Sequence, residues 1–448
     1  MTEPQELGVA DAVAAITRGE TSAVELVRAL IERIERTDQE LRAWVVVDRE
    51  RALAEAKRRD ELPRDRRGPL HGVPIGVKDI FDVAGLPTKA GFAPFADRVA
   101  AEDCTVVARL RAAGAVILGK TVTTQFAYID PPPTRNPWNA DRTPGGSSSG
   151  SGASVAARQV PAALGSQTGG SVLRPAAYNG VIGLKPTYGR VSRSGVLPLA
   201  WSIDHPGTLT RSVVDAALLL RAIAGHDPRD PSSSRAPVPD YVAAARPGAP
   251  PRLLVLDDFL ERAQPDAALR FEDAIGRLRT AGASVERGRF PSGAPALIGA
   301  HAVVMQAEAA AVHRRLIAEH RDAYAPRIRA FVENGALVLA VDYLDAQRLR
   351  RRLRREAAAL LARCDCLVLP TASGPAPAPD TTGDPSFQGP FSLLGLPAIS
   401  LPSGLSADGL PLGLQLVGPA FGEAALLGAA AWAERALGPM PSPPAYRP

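Results

Sequence analysis

Apolar positions recur three and four residues apart at the start of the chain. Further on they form short unbroken runs. Ser22-Ala-Val-Glu25 has the spacing of a capping box, and behind it Val24, Val27, Ile31 and Ile34 share one helical face. This pattern predicts helices over most of 8–58, with a polar break at ELPRDRRGP (61–69). From 70 to about 220 short β-branched runs (VPIGV, AVILG, GVIGL) alternate with helical patterns among many glycines, which predicts an α/β sheet. GHDPRDPSSSRAPVPDY (225–241) reads as an exposed loop. A strand (LLVL), a helix (265–281) and a strand (ASVE) follow, and 296–362 is mostly helical. Sheet character returns at CLVLP (366–370), PAISLP (397–402) and LGLQLVG (412–418). The arrangement expected is one sheet built from both ends of the chain, with a helical segment between.

Composition narrows the classes. The 448 residues are 46% hydrophobic and 22% charged, ordinary for a globular protein with a sizeable core, and the net charge of +5 is mild. In the densest basic stretch, QRLRRRLRRE (347–356), Leu349 and Leu353 lie four apart, so the arginines are expected on the outer face of an amphipathic helix. Without aromatic partners or a second basic element, that face reads as solvated, not as a nucleic-acid patch. Cys104, Cys364 and Cys366 make neither a disulfide framework nor a metal-ligand spacing, so no metal is expected. No apolar run reads by pattern as a membrane span, and MTEPQELGVADAV lacks a signal-peptide pattern, so the cytoplasm is the expected compartment.

The lysines change the picture. Only five of the 52 basic residues are Lys (Lys57, Lys78, Lys89, Lys120, Lys185), and Lys78 lies in the apolar run HGVPIGVKDI (71–80). Arg keeps its proton under ordinary conditions, whereas a desolvated Lys can lose one. Lys78 is therefore read as a group that is at times a neutral amine.

A second unusual segment is TPGGSSSGSGASVAARQVPAALGSQTGGSVLRPAAYNGVIGLKPT (143–187). As a phosphate cradle it fails, because neither Gly run is followed by Lys-Ser or Lys-Thr and GSGASV (150–155) breaks the dinucleotide fingerprint. As a flexible linker it fails at AALG and GVIGL, which read as packed. GSSSG (146–150) matches a nucleophile elbow centred on Ser148 only formally, since a loop and not a strand precedes it. Taken with Lys78, the segment closely resembles the amidase signature family. PGGSSSGS (144–151) is similar to the family's PGGSSGGS, and GSQTGGSVLRPAA (165–177) to its GTQTGGSVIRPAA. HGVPIGVKD, GKTVTTQFA (119–127), GLKPTYGRVSRSGVLPLAWSIDHPG (183–207) and GLPAISLPSGLSADGLPLGLQLVG (395–418) resemble further blocks.

The resemblance implies an α/β amidase signature fold: a large mixed β-sheet core flanked by helices on both faces. It implies one domain over 1–448, with N-terminal helices (8–60), a signature core (61–220), a variable, mostly helical segment (225–362) and a return to the core sheet (365–436). By position, Lys78 matches the family's base, Ser147 its bridging serine after a cis peptide at Gly146, and Ser171 its nucleophile. The oxyanion hole falls to backbone N–H groups of Thr168, Gly169, Gly170 and Ser171. Gln167 stands where Asp is commoner, Gln125 where Glu is usual, and Arg174 lies three residues past the nucleophile, as in one bacterial subset. Gln167 and Arg174 are candidates for substrate binding, and Arg174 equally for a structural ion pair.

The implied activity is hydrolysis of amides through an acyl-enzyme, without cofactor, extending to small aryl amides, esters and carbamates. The expected partner is a small-molecule amide, with no nucleic acid and no membrane, for a monomer or homodimer. The alternative is the amidase subunit of a glutamine-dependent tRNA amidotransferase, although that subunit usually reads GSDTGGSIRQPAA in the nucleophile block.

Overall fold

The computed structural model describes residues 3–446; Met1, Thr2, Arg447 and Pro448 lie outside them. Among the described residues eleven strands form one mixed sheet. In chain order they are β1 (Trp44–Val47), β2 (Pro74–Lys78), β3 (Val116–Thr121), β4 (Ala162–Gln167), β5 (Ile182–Lys185), β6 (His205–Thr210), β7 (Arg252–Leu256), β8 (Ser284–Gly288), β9 (Cys366–Pro370), β10 (Ala398–Leu405) and β11 (Pro411–Val417). Their order across the sheet is β1-β3-β2-β4-β6-β5-β10-β11-β9-β7-β8. As the pattern predicts, the sheet joins both ends of the chain. The seam is β5 against β10, antiparallel, with Lys185 opposite Ala398. Helices Ser149–Ala156 and Leu173–Asn179 cover one face, and Val213–Ile223, Pro265–Thr280 and Glu423–Leu437 the other. Inner strands such as β2 and β9 are buried because helices cover them, which is why they read as largely apolar runs, whereas the edge strand β8 is mostly exposed.

The capping box forms. Ser22 Oγ accepts from the Glu25 N–H at 3.1 Å, and the Glu25 carboxylate accepts from the Ser22 N–H at 2.8 Å. Three strands depart from the pattern. β1 lies inside the stretch expected to be helical, where half-buried Trp44–Val47 pairs with β3. β4 (AALGSQ) and β6 (HPGTLT) carry few β-branched residues, and tertiary pairing decides them.

Two corrections concern the helical segment. The stretch Gly293–Ala323 is long and apolar enough to cross a membrane by length and composition, contrary to the reading of the sequence. Here its helix Gly293–His320 packs against helices Pro326–Gly335, Ala340–Leu361 and Gly389–Leu394, with His301, Glu308 and His313 among its buried residues. Nor do all the arginines of 347–356 face outward. Arg350 is buried and donates to Leu393 O (2.6 Å), Ser202 Oγ (2.9 Å) and Ser202 O (2.8 Å), which ties the helix to the core.

Candidate active site

β2 and β4 pair in parallel, with Val77 opposite Leu164, so their carboxyl ends open side by side. Sites in sheets of this kind lie beyond such ends. Lys78 is the last residue of β2, and Ser166 is the penultimate residue of β4. The Lys78 Nζ sits 2.7 Å from Ser147 Oγ and 2.8 Å from Ser166 Oγ. It is fully buried, and burial pushes its pKa well below the ordinary lysine range, opposed by the charge of Asp204. Among the described residues it has no carboxylate in salt-bridge contact, whereas Lys120 pairs with Asp79 at 2.9 Å. An ammonium would have three protons to place against two hydroxyls. A neutral amine has a lone pair free to take a proton from one of them. The next residue is fixed too: Asp79 accepts from Lys120 and from the N–H groups of Lys89 (3.1 Å) and Ala90 (3.2 Å).

The Gly146–Ser147 peptide is cis. The Ser148 N–H donates to Ser171 O at 3.4 Å, which brings the two serine-rich segments together. Ser148 itself is occupied, its hydroxyl bonded to both the N–H and the C=O of Ser166 at 3.3 Å. Ser171 stands just ahead of helix Leu173–Asn179 and is 6% exposed. Among the described residues no hydrogen bond holds its hydroxyl.

Each of the loop residues before it is restrained. Thr168 Oγ1 donates to Asp204 Oδ1 at 2.6 Å, and the other Asp204 oxygen accepts from the N–H groups of Leu199 (2.9 Å) and Ala200 (3.0 Å). Burial nevertheless pushes the Asp204 pKa up to about 6. The Thr168 and Gly169 carbonyls accept from His301 Nε2 (3.1 Å) and Ser392 Oγ (3.0 Å). Gly170 is hemmed in: a Cβ there would lie 2.2 Å from Gln388 Oε1. A cavity of about 240 Å³ opens on Ser166, Thr168 and Asp204, with Ile80, Ala127, Leu199 and Trp201 among its walls.

Two candidates for substrate binding have other occupations. Gln167 is buried, its Oε1 accepting from Val172 N–H (2.9 Å) and Leu173 N–H (3.0 Å) and its Nε2 donating to Ser392 Oγ (3.1 Å). It caps the helix that follows Ser171, with its amide oxygen taken by two N–H groups and its nitrogen engaged by Ser392. Arg174 is buried and makes no ion pair among the described residues, and its Nη2 donates to Gly146 O (2.8 Å) and Thr382 Oγ1 (3.2 Å). It braces the carbonyl immediately before Ser147.

Reading the sequence missed Ser166, Asp204, His301 and Ser392. Ser166 lies inside a quoted block and needed only the parallel pairing of β2 with β4 to reveal its contact. His301 lies in an apolar helix with no motif around it, so nothing local marks it. Among the described residues no group of three or more His, Cys, Asp and Glu side chains is arranged to hold a metal ion.

The family model described as Amidase matches residues 25–427. A glutamyl-tRNA(Gln) amidotransferase subunit from Anaeromyxobacter sp. (strain K) is 42% identical, with 98% of each chain covered. An amidase of Pseudomonas putida is 39% identical over 92% of each. A solved chain from a study of a vestigial protein complex and the origins of an s-triazine catabolic enzyme is 34% identical, with a TM-score of 0.91, covering 97% of this chain and 100% of that one. These relatives correct the expectation of a small-molecule partner alone, without nucleic acid, for a monomer or homodimer. Full-length relatives are named as one subunit of a tRNA amidotransferase, and a neighbour comes from a protein complex.

Proposed function

The chain belongs to the amidase family and is an amide-hydrolysing enzyme, and from that premise we propose that it serves as the amidase subunit of a glutamine-dependent tRNA amidotransferase, with Ser171 as nucleophile. The observation that carries the subunit reading is the 42% identity maintained over 98% of both chains. Its work is to release ammonia from the side-chain amide of glutamine, beside protein partners and tRNA in the cytoplasm, with 1–448 acting as one domain.

Ser171 Oγ attacks the amide carbon as its proton passes to Ser147 Oγ, whose own proton goes to the neutral Lys78 Nζ. Backbone N–H groups of Thr168–Ser171 receive the carbonyl oxygen as it becomes negative. Collapse of the tetrahedral adduct breaks the C–N bond, and the relay returns the proton to the leaving nitrogen. Water then repeats the sequence on the acyl-serine and frees the acid.

A second reading is a free-standing hydrolase of small aryl amides, extending to esters and carbamates. Gln167 favours it, because this residue departs from the Asp usual in the subunit's block and its bonds to Val172, Leu173 and Ser392 fit it to this chain. The apolar wall with Trp201 suits an aryl group. The deciding experiment compares the purified chain, alone and with protein partners from its own source, on glutamine, a 4-nitroanilide and a matched 4-nitrophenylcarbamate. Glutamine hydrolysis that rises on adding partners supports the subunit. Fast anilide cleavage by the chain alone, with no gain on glutamine from any partner, sinks it.

A further inference from the structure

We propose that His301, from the helical segment outside the signature blocks, is a positioning residue that, with Ser392, aims the backbone N–H groups of Gly169 and Gly170 at the reacting oxygen. This deepens the proposed mechanism and rests on the reading of Ser171 as nucleophile.

Peptide geometry sets the direction of these N–H groups. In a planar trans peptide the C=O and the following N–H point in opposite directions. The Thr168 carbonyl is held at 3.1 Å by His301 Nε2, so the Gly169 N–H of the same peptide is turned to the far side. The Gly169 carbonyl is held at 3.0 Å by Ser392 Oγ, which orients the Gly170 N–H in the same manner. A glycine pair has the widest backbone freedom of any dipeptide, so without such anchors these N–H groups would wander. The anchors come from helix Gly293–His320 and helix Gly389–Leu394, neither of which carries the nucleophile or the base.

The fit around His301 is close. A Cβ on Gly169 would lie 3.6 Å from its Cε1, and one on Gly389 would lie 2.9 Å from its Nδ1. The ring is buried, and burial pulls its pKa down to about 4. At neutral pH it is therefore an uncharged imidazole, and the acceptor at Thr168 O places its one proton on Nε2. Ser392 is tied in through Gln167 Nε2, which donates to its hydroxyl at 3.1 Å. The cap on the helix after Ser171 and the anchor on the loop before it are one connected set. The otherwise unmarked segment thus reaches the loop before Ser171 through the His301 ring nitrogen.

The test measures the rate at which a fluorophosphonate phosphonylates Ser171, since that transition state also places a developing oxyanion in the loop. The variants are His301→Phe, His301→Gln and Ser392→Ala, each checked by Tm. Outright loss of an oxyanion-hole donor costs about 10²–10³-fold, so loss of its anchor in His301→Phe should slow labelling by about 10–100-fold. The Gln amide nitrogen can reach the place of Nε2, so His301→Gln should stay within about 3-fold of wild type at similar Tm. Labelling of His301→Phe at the wild-type rate overturns the proposal, as does equal loss in Phe and Gln variants of unchanged Tm. If His301→Phe does not fold, Ser392→Ala decides: slowed labelling at normal Tm supports the anchor, and an unchanged rate overturns it. Wild type that takes no label at Ser171 points instead to failure of the nucleophile assignment.

Discussion

Lys78→Met, set beside Lys78→Arg, separates the chemistry of this residue from its structural cost. Lys78 is wholly buried with two hydroxyl neighbours, and burial holds its pKa well below the ordinary range. Methionine keeps much of the volume, but its thioether sulfur is too weakly basic to take a proton, so turnover should fall by about 10⁴-fold or more. Arginine should be no better, because it keeps its proton, and it would also bury a permanent charge without a carboxylate partner. Stability should move the other way for methionine. Unfolded, Lys78 regains a pKa of about 10.4 and binds a proton that the folded state refuses. Each pH unit over which the folded amine is neutral and the unfolded one charged is worth about 1.4 kcal/mol. Wild type therefore gains stability as pH rises from the folded pKa towards about 10.4, and the gain then ends. Lys78→Met lacks this term and loses two hydrogen bonds, a cost of about 1–3 kcal/mol. Two or three pH units of that window are enough to offset the loss. Near neutral pH the Met variant should match or exceed wild type, and the difference should shift in favour of wild type on raising the pH. Denaturant midpoints from about pH 6 to about pH 10, with anilide or glutamine turnover beside them, measure both effects. A pH-independent difference, or Lys78→Arg retaining more than about a hundredth of wild-type activity, would rule out the neutral-base role of Lys78.

Three further outcomes are expected. Ser171→Ala should abolish turnover and fluorophosphonate labelling at unchanged Tm, and residual labelling mapped by mass spectrometry to another serine would move the nucleophile. Activity should rise towards alkaline pH, because the depressed pKa of Lys78 governs how much of it is the neutral base; a kcat/KM profile that falls above neutrality would contradict the relay. Gly170→Ala would put a Cβ 2.2 Å from Gln388 Oε1 and 3.1 Å from Arg174 Nη1, so it should destabilise the fold by about 1–3 kcal/mol and cut kcat well beyond any change in KM. Equal kcat and Tm in that variant would show that the loop is not tightly packed.

The residues of the candidate site were legible where chemistry is written locally. Lys78 stood out as a rare lysine in an apolar run, and Ser147 and Ser171 lay in blocks of eight and thirteen residues. Strands with short unbroken apolar runs, such as β7 (RLLVL) and β9 (CLVLP), were legible for the same reason. β1 was not, because Trp44–Val47 is too short to break the helical pattern around it, and only pairing with β3 makes it a strand. Arg174 and Gln167 were visible as residues, but their roles depend on acceptors that only folding brings close, at Gly146 and Ser392. His301 was hidden most completely, since its acceptor lies more than a hundred residues away in the chain.

The seam between β5 and β10 has a consequence for how the protein is made. β5 leaves the ribosome roughly two hundred residues ahead of the strand that covers its edge. At a synthesis rate of about 5–20 residues per second, that edge waits on the order of 10–40 s. During that time the nascent chain presents the unpaired N–H and C=O groups of Ile182–Lys185 to whatever is nearby, including the same strand on the next chain of a polysome. An edge left open for that time is an aggregation hazard, which pairing with Ala398–Ser400 of the same chain removes.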